Sequence, residues 1–316
     1  MLIMSVDTGN KMIKTENLEF HSGLEILDQM PGEKEEVIRY EDKCYLVSNK
    51  RIAYMENKTE DDRYFILTLI AIAKELERLK LQEAEPLIPN GLIEIELLVG
   101  LPPVHYGKLR DAFRKYFYRD GQIIDFSYMG IPYKIAFSDV KVYIQAYAAY
   151  VLIAGKQKLS TYQKVLLIDI GGFTVDYMVL RLGCIDWNLV DSLEEGVILF
   201  YRKVKAGIRK KYGILLEESD IDNILLKKET SYEEGLIERV NEIARQYVTE
   251  LLGTFRELGI DFGTTLTVFV GGGSILQSEF IRETWKWNQV KYFIVNDSKA
   301  NAKGYKLQYL AEKNML

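Results

Sequence analysis

The sequence predicts an α/β protein built from two related lobes, each a mixed β-sheet flanked by helices. Three observations carry that prediction. Strand-like and helix-like segments are interspersed along the 316 residues. An apolar strand, Asp-x-Gly and a second strand open the chain as "LIMSVDTGNKMIK" and return about half a chain later as "VLLIDIGGFTVDY". A third apolar strand runs into a glycine triplet in "LTVFVGGGSIL". A repeat on this scale implies two lobes of common design.

Taken in order, residues 2–6 read as a buried strand, and a second strand follows through Met12, Ile13 and Lys14. "EVIRYEDKCYLVS" is a hairpin with Glu41, Asp42 and Lys43 at its tip. Phe65, Leu69, Ile72 and Leu76 recur at helical spacing, which predicts an amphipathic helix over 61–81. "LIEIELLVGLPP" is a strand stopped by Pro102 and Pro103, and "YGKLRDAFRKYFYRD" a helix with a basic outer face. Residues 122–137 form a hairpin turning near Gly130. "DVKVYIQAYAAYVLIAG" opens on an acid suited to capping and closes at Gly155, which predicts one buried helix.

The polar "KQKLSTYQK" is the expected linker, giving a first lobe of 1–158 to which 298–316 return and a second of 159–297. Strands are expected at 165–170, 173–181 and 185–191, then successive helices from 197 to 258 with breaks near 212–214 and 229–232. A short strand near Phe293 and a terminal helix finish the chain.

Composition narrows the function. A net charge of −5 gives no general electrostatic reason to bind nucleic acid or acidic lipid. Cys44 and Cys184 stand far apart without ligand-like spacing, so neither a disulfide framework nor a zinc site is indicated. "MLIMSVDTG" lacks the basic start of a signal peptide, and "VYIQAYAAYVLIAG" is too short to span a membrane, which points to the cytoplasm. His21 and His105 belong to no nucleophile or metal constellation.

The repeated turns ask for a chemical reason. Asp7 matches Asp169, Gly9 matches Gly171 and Asn10 matches Gly172. Either turn alone is also what an ordinary hairpin needs. As a pair they suit a phosphate, because small residues let backbone N–H groups approach its oxygens. A bare carboxylate would repel a triphosphate, whereas one holding waters of a hydrated Mg²⁺ is favourable. Lys14 can return to the phosphates as a point charge. Gly271, Gly272 and Gly273 allow close approach to a base and ribose, with Ser274 positioned to cap the next helix, or else form only the flexible entry to a helix N-terminus.

This ordered constellation resembles the actin-like ATPase superfamily, which includes actin, DnaK-type chaperones and sugar kinases. "DTGNKMIK" resembles its first phosphate motif, "DIGGFTVD" the second and "VFVGGGSIL" the adenosine motif, while "VYIQAYAAY" and "ANAKGYKLQYL" occupy its connecting helices. The resemblance implies an actin-like fold with a nucleotide cleft between the lobes. It implies that Asp7 and Asp169 organise Mg²⁺ through water and that Gln145 orients the attacking water. Thr8, Gly9, Asn10, Lys11, Lys14, Gly171, Gly172, Phe173, Thr174, Gly271, Gly272, Gly273 and Ser274 would contact ATP, with GTP as the other candidate. An amide orients water but is a poor base, so Gln145 disfavours phosphoryl transfer to a sugar and suits slow hydrolysis, the other reading being a polar residue tolerated at a helix start.

Only a short helix follows Gly304, unlike the chaperones, and "NDSKANAKGY" is similar to the closing motif of the ParM-type plasmid-segregation actins. Many of that branch carry glutamate where Gln145 stands. The expectation is a bacterial filament-forming ATPase that self-associates head to tail and reaches plasmid DNA through an adaptor, without touching nucleic acid or membrane. The alternatives are a monomeric ATP-dependent enzyme or chaperone-type ATPase, and a weakly hydrolysing scaffold. Arg202, Lys203, Lys205, Arg209, Lys210 and Lys211 read either as a solvated helix face or, for Arg202 and Lys205, as neighbours of the base. The tyrosine-rich "RDAFRKYFYRD" is core packing or an interface.

Overall fold

Sheet formation begins at the first strand, β1 (Leu2–Thr8), whose central residues are buried. The computed structural model describes residues 2–27, 36–48, 50, 55–82, 91–155, 157–285 and 291–315. The chain divides into two compact units, Met1–Leu152 with Lys299–Leu316, and Ile153–Ser298.

In the first unit β1 is followed by β2 (Met12–Lys14), β3 (Glu19–His21), β4 (Gly23–Leu27), β5 (Val37–Tyr40) and β6 (Lys43–Ser48). Helix α1 (Arg63–Gln82) comes next, then β7 (Ile93–Leu101), α2 (Pro103–Tyr118), β8 (Ile123–Tyr128), β9 (Ile131–Ile144) and α3 (Tyr147–Ala154). Nine strands form one sheet in the order β3-β2-β1-β7-β9-β8-β5-β6-β4. β1, β7 and β9 run parallel, and the hairpins are antiparallel. The predicted strands, hairpins and helices of this unit stand, with three differences.

First, α2 starts on Pro103, whose fixed φ and missing N–H suit a first helical position. Second, β3 and β4 lie in a stretch for which the sequence reading gave no element. Third, the predicted buried helix from Asp139 is mostly strand: β9 continues to Ile144, and only Tyr147–Ala154 is helical. Val140, Val142, Tyr143 and Ile144 are β-branched or aromatic, and they pair in parallel with Leu97–Leu101 of β7. Asp139 therefore caps nothing. Its carboxylate instead meets Arg114 at 2.7 Å and Lys141 at 3.0 Å.

The second unit holds β10 (Lys164–Ile170), β11 (Val175–Arg181), β12 (Cys184–Leu193), α4 (Val197–Tyr212), α5 (Glu218–Leu225), α6 (Glu234–Glu257), β13 (Leu266–Val270), α7 (Gly272–Leu276), α8 (Ser278–Trp285) and β14 (Tyr292–Ile294). Its sheet runs β12-β11-β10-β13-β14. The helix expected after Ser274 is present as two pieces, α7 and α8. The last helix, α9 (Ala300–Glu312), returns to the first unit.

The internal repeat now has a topological form. In the first unit β3-β2-β1 are joined antiparallel and β1-β7-β9 parallel; in the second, β12-β11-β10 are antiparallel and β10-β13-β14 parallel. Order and direction match strand for strand. Each unit has its own apolar core. One packs Phe65, Phe113, Phe117 and Phe137, and the other packs Phe200, Tyr247, Phe255, Phe269 and Trp285.

Candidate functional site

The two Asp-x-Gly turns occupy equivalent ends of equivalent strands. Asp7, at the end of β1, is 5 % exposed, and three side chains donate to its carboxylate. Gln145 Nε2 reaches Oδ1 at 2.7 Å, Tyr305 hydroxyl reaches Oδ1 at 3.4 Å and Asn301 Nδ2 reaches Oδ2 at 3.4 Å. A buried carboxylate supplied with these donors has its hydrogen-bonding capacity met and its orientation fixed.

Gln145 does not stand on a helix, as its motif had implied, but in the turn between β9 and α3. That turn is tight. Gln145 donates its backbone N–H to Leu101 and accepts from Tyr147, and Ala146 sits in the left-handed region at φ 62°. A non-glycine residue there is costly and needs support. Asn301 supplies it, its Oδ1 accepting the Ala146 N–H at 2.9 Å. The one side chain of Asn301 thus links the strained turn to Asp7.

Asn301 and Tyr305 are functional candidates that sequence reasoning missed. Both lie on α9, four residues apart, with Tyr309 four further on, so the three stack along one face. Tyr309 donates to the buried Glu96 carboxylate on β7. Burial first, then that carboxylate, push the Tyr309 hydroxyl up to about 12, so it remains a donor at neutral pH. The available signal was a polar residue and two tyrosines at helical spacing in "ANAKGYKLQYL". Gly304 lies between them because a Cβ there would come 2.1 Å from the Ala148 carbonyl.

The first turn is closed by its own backbone. Gly9 donates its N–H to the Asp7 carbonyl at 3.1 Å, and a Cβ on Gly9 would sit 2.5 Å from the Met12 oxygen. Asn10 accepts from the Tyr64 hydroxyl through its side chain and from Ser22 Oγ at 2.7 Å through its carbonyl. Lys11 accepts the Ser22 N–H. Thr8 is fully buried, its carbonyl taking a hydrogen bond from the Lys58 ammonium and its Oγ1 having no partner among the described residues. Lys14 is the direct antiparallel neighbour of Asp7, so carboxylate and ammonium leave the same face of the sheet.

The second turn is built on a helix. The carbonyls of Gly171, Gly172 and Phe173 accept the N–H groups of Val197, Ile198 and Gly196, all at 2.9–3.0 Å. These are donors that the start of α4 would otherwise leave unsatisfied. Gly171 donates to the Thr174 carbonyl at 2.9 Å, closing the turn. Gly196 was also missed by the sequence reading; a Cβ there would come 2.3 Å from Phe173. Where Lys14 faces Asp7, Asp176 faces Asp169 at the same register distance, and it accepts from Ser192 Oγ at 2.6 Å and Thr174 Oγ1 at 3.3 Å.

The glycine triplet meets this second turn. β13 runs parallel to β10, with Asp169 opposite Val270. Gly271 takes φ 88°, and a Cβ on it would lie 2.2 Å from Asp169 Oδ1. Gly273 packs as tightly on Ile170. Ser274, expected to cap the next helix, does not: Gly271 is the cap residue, and Ser274, inside α7, turns its hydroxyl back to the Val270 carbonyl. On α4, Arg202 is exposed, while Lys203 pairs with Glu250 at 2.7 Å and Lys205 lies 3.9 Å from Glu217. Among the described residues no helix is long and apolar enough to cross a membrane.

Two sheets that share a five-strand topology, each leading its first strand into Asp-x-Gly, define the actin fold. A family model described as actin like proteins N terminal domain matches residues 5–147, and one for the C-terminal part of archaeal MreB-like actin homologues matches 167–283. Together these take in most of the chain, which belongs to the actin-like superfamily. Among solved structures, the archaeal actin homologue Ta0583 superposes with a TM-score of 0.75 at 15% identity, covering 99% of this chain and 100% of that one. Ta0583 in complex with ADP gives 0.72 at 16%, covering 99% and 100%. A 15-stranded ParM filament from Clostridium botulinum gives 0.71 at 16%, again covering 99% and 100%. These neighbours are consistent with the ParM-type branch. No curated protein matches the chain in sequence.

Proposed function

We propose that the chain is a nucleotide-dependent polymerising ATPase whose filaments turn over as ATP is hydrolysed, and that it moves DNA, most simply a plasmid, through an adaptor protein. The observation that carries this reading is the Asp7 carboxylate, buried at the phosphate motif and held by Gln145, Asn301 and Tyr305. Its oxygens already accept protein hydrogen bonds, which fits a magnesium ion contacted through its waters rather than directly. Asp169 is assigned the matching role on the second turn. The ion would screen the phosphates and stabilise charge developing on the leaving group.

Lys14, facing Asp7 across β1 and β2, is assigned to the phosphates. With Nε2 committed to Asp7, Gln145 turns its Oε1 to the attacking water, as a hydrogen-bond acceptor and not as a base. Gly271, Gly272 and Gly273 are assigned to the nucleoside. The ADP-bound homologue supports nucleotide binding, and the ParM filament supports self-association; we take the assembly to be head to tail, which gives open filaments when the rotation does not close. Asp169→Ala tests the reading: phosphate release under ATP and Mg²⁺ should fall to background, and release at the wild-type rate would remove Asp169 from the metal site.

A further inference from the structure

A lysine outside every motif touches the first turn. Lys58 is 5 % exposed, and its ammonium donates to the Thr8 carbonyl while lying 5.2 Å from the Tyr64 ring centre. Tyr64, at the start of α1 and wholly buried, donates its hydroxyl to Asn10 Oδ1. Two residues from one short segment therefore grip the turn on both sides of Gly9, at Thr8 and at Asn10.

That segment is itself fixed. Asn57 Oδ1 accepts from Thr59 N–H at 3.2 Å and Thr59 Oγ1 at 2.8 Å, and Asp61 Oδ1 caps α1 through the Arg63 N–H at 2.9 Å. The Tyr116 hydroxyl of α2 donates to the Asp61 carbonyl and accepts the Phe65 N–H, both at 2.8 Å. Lys58 and Tyr64 are thus presented from a braced platform.

We infer that Lys58 and Tyr64 are positioning residues that hold the first turn in its phosphate-receiving shape, so that they set affinity for the phosphates and not for the nucleoside. The inference rests on the nucleotide reading above. A carbonyl drawn toward a cation points its lone pairs away from an incoming anion, and the ammonium adds positive potential where a phosphate arrives. Both effects act on the turn that the phosphates meet, whereas the base and ribose are assigned to the glycine triplet.

The test is calorimetric titration of ATP, ADP and adenosine, with Mg²⁺, into wild type, Lys58→Met, Lys58→Arg and Tyr64→Phe, with the melting temperature of each unliganded chain. Lys58→Met should weaken ATP by about tenfold or more and ADP by less, while leaving adenosine within about twofold. Lys58→Arg should recover part of the loss, because it restores the cation to the carbonyl. Tyr64→Phe should show the same ATP-selective loss, and it carries the test if Lys58→Met fails to fold. Equal weakening of all three ligands, or ATP affinity unchanged in a folded Lys58→Met, would overturn the inference while leaving the nucleotide reading intact. Absence of ATP binding by the wild-type chain would overturn both.

Discussion

The Gln145 side-chain amide donates to Asp7 Oδ1 over 2.7 Å, joining the turn after β9 to the end of β1. The two residues are far apart in sequence, yet β1, β7 and β9 are successive parallel strands of one sheet, so their ends converge. Parallel sheets collect functional side chains at such ends.

Gln145→Ala should therefore leave ATP affinity within about threefold, cost about 1 kcal/mol of stability and slow phosphate release strongly. Filaments should last longer under ATP. Phosphate release at the wild-type rate would remove Gln145 from the water's side of the reaction.

Tyr309→Phe takes the donor from Glu96, a carboxylate only 4 % exposed. Leaving a buried acceptor without its hydrogen bond costs about 1–3 kcal/mol. Urea unfolding should record that loss, and the double variant with Glu96→Gln should recover part of it.

Gly304→Ala would place a methyl 2.1 Å from the Ala148 carbonyl, a backbone atom that cannot swing aside. Overpacking of this kind costs about 1–3 kcal/mol. Because α9 also carries Asn301 and Tyr305, nucleotide affinity should fall along with the melting temperature.

Asp139 supplies a pH dependence. Burial alone would raise its carboxyl, but Arg114 and Lys141 outweigh that and hold it below the usual 3.8. A lowered folded value means that the contribution is full above the unfolded value and fades as pH falls through the folded one. Asp139→Asn should cost about 0.5 kcal/mol at pH 7, discounted for a partly exposed pair. The difference from wild type in urea midpoint should shrink below pH 3.8.

Much of this architecture was legible in the sequence because it is written locally. Asp7, Gly9, Asp169 and Gly171 announce their turns by residue type, and the spacing of Phe65, Leu69, Ile72 and Leu76 announces α1. Asp139–Ile144 was misread because an apolar run next to a real helix carries no period of its own, and its strand identity comes from pairing with β7. Lys58 and Gly196 were invisible for a related reason, and Asn301 and Tyr305 showed only as a helical spacing without a partner. Each acts through a contact fixed only when distant elements pack, and none has a residue type that advertises it.

The most direct test of the central claim is right-angle light scattering of the purified chain with Mg²⁺ after adding ATP, GTP, ADP or a non-hydrolysable ATP analogue, with phosphate release followed in parallel. The account predicts a rise with ATP that decays as phosphate appears, and a lasting rise with the analogue. A flat trace at high protein concentration, alongside steady phosphate release, would contradict the filament reading and leave a monomeric ATPase of the same fold.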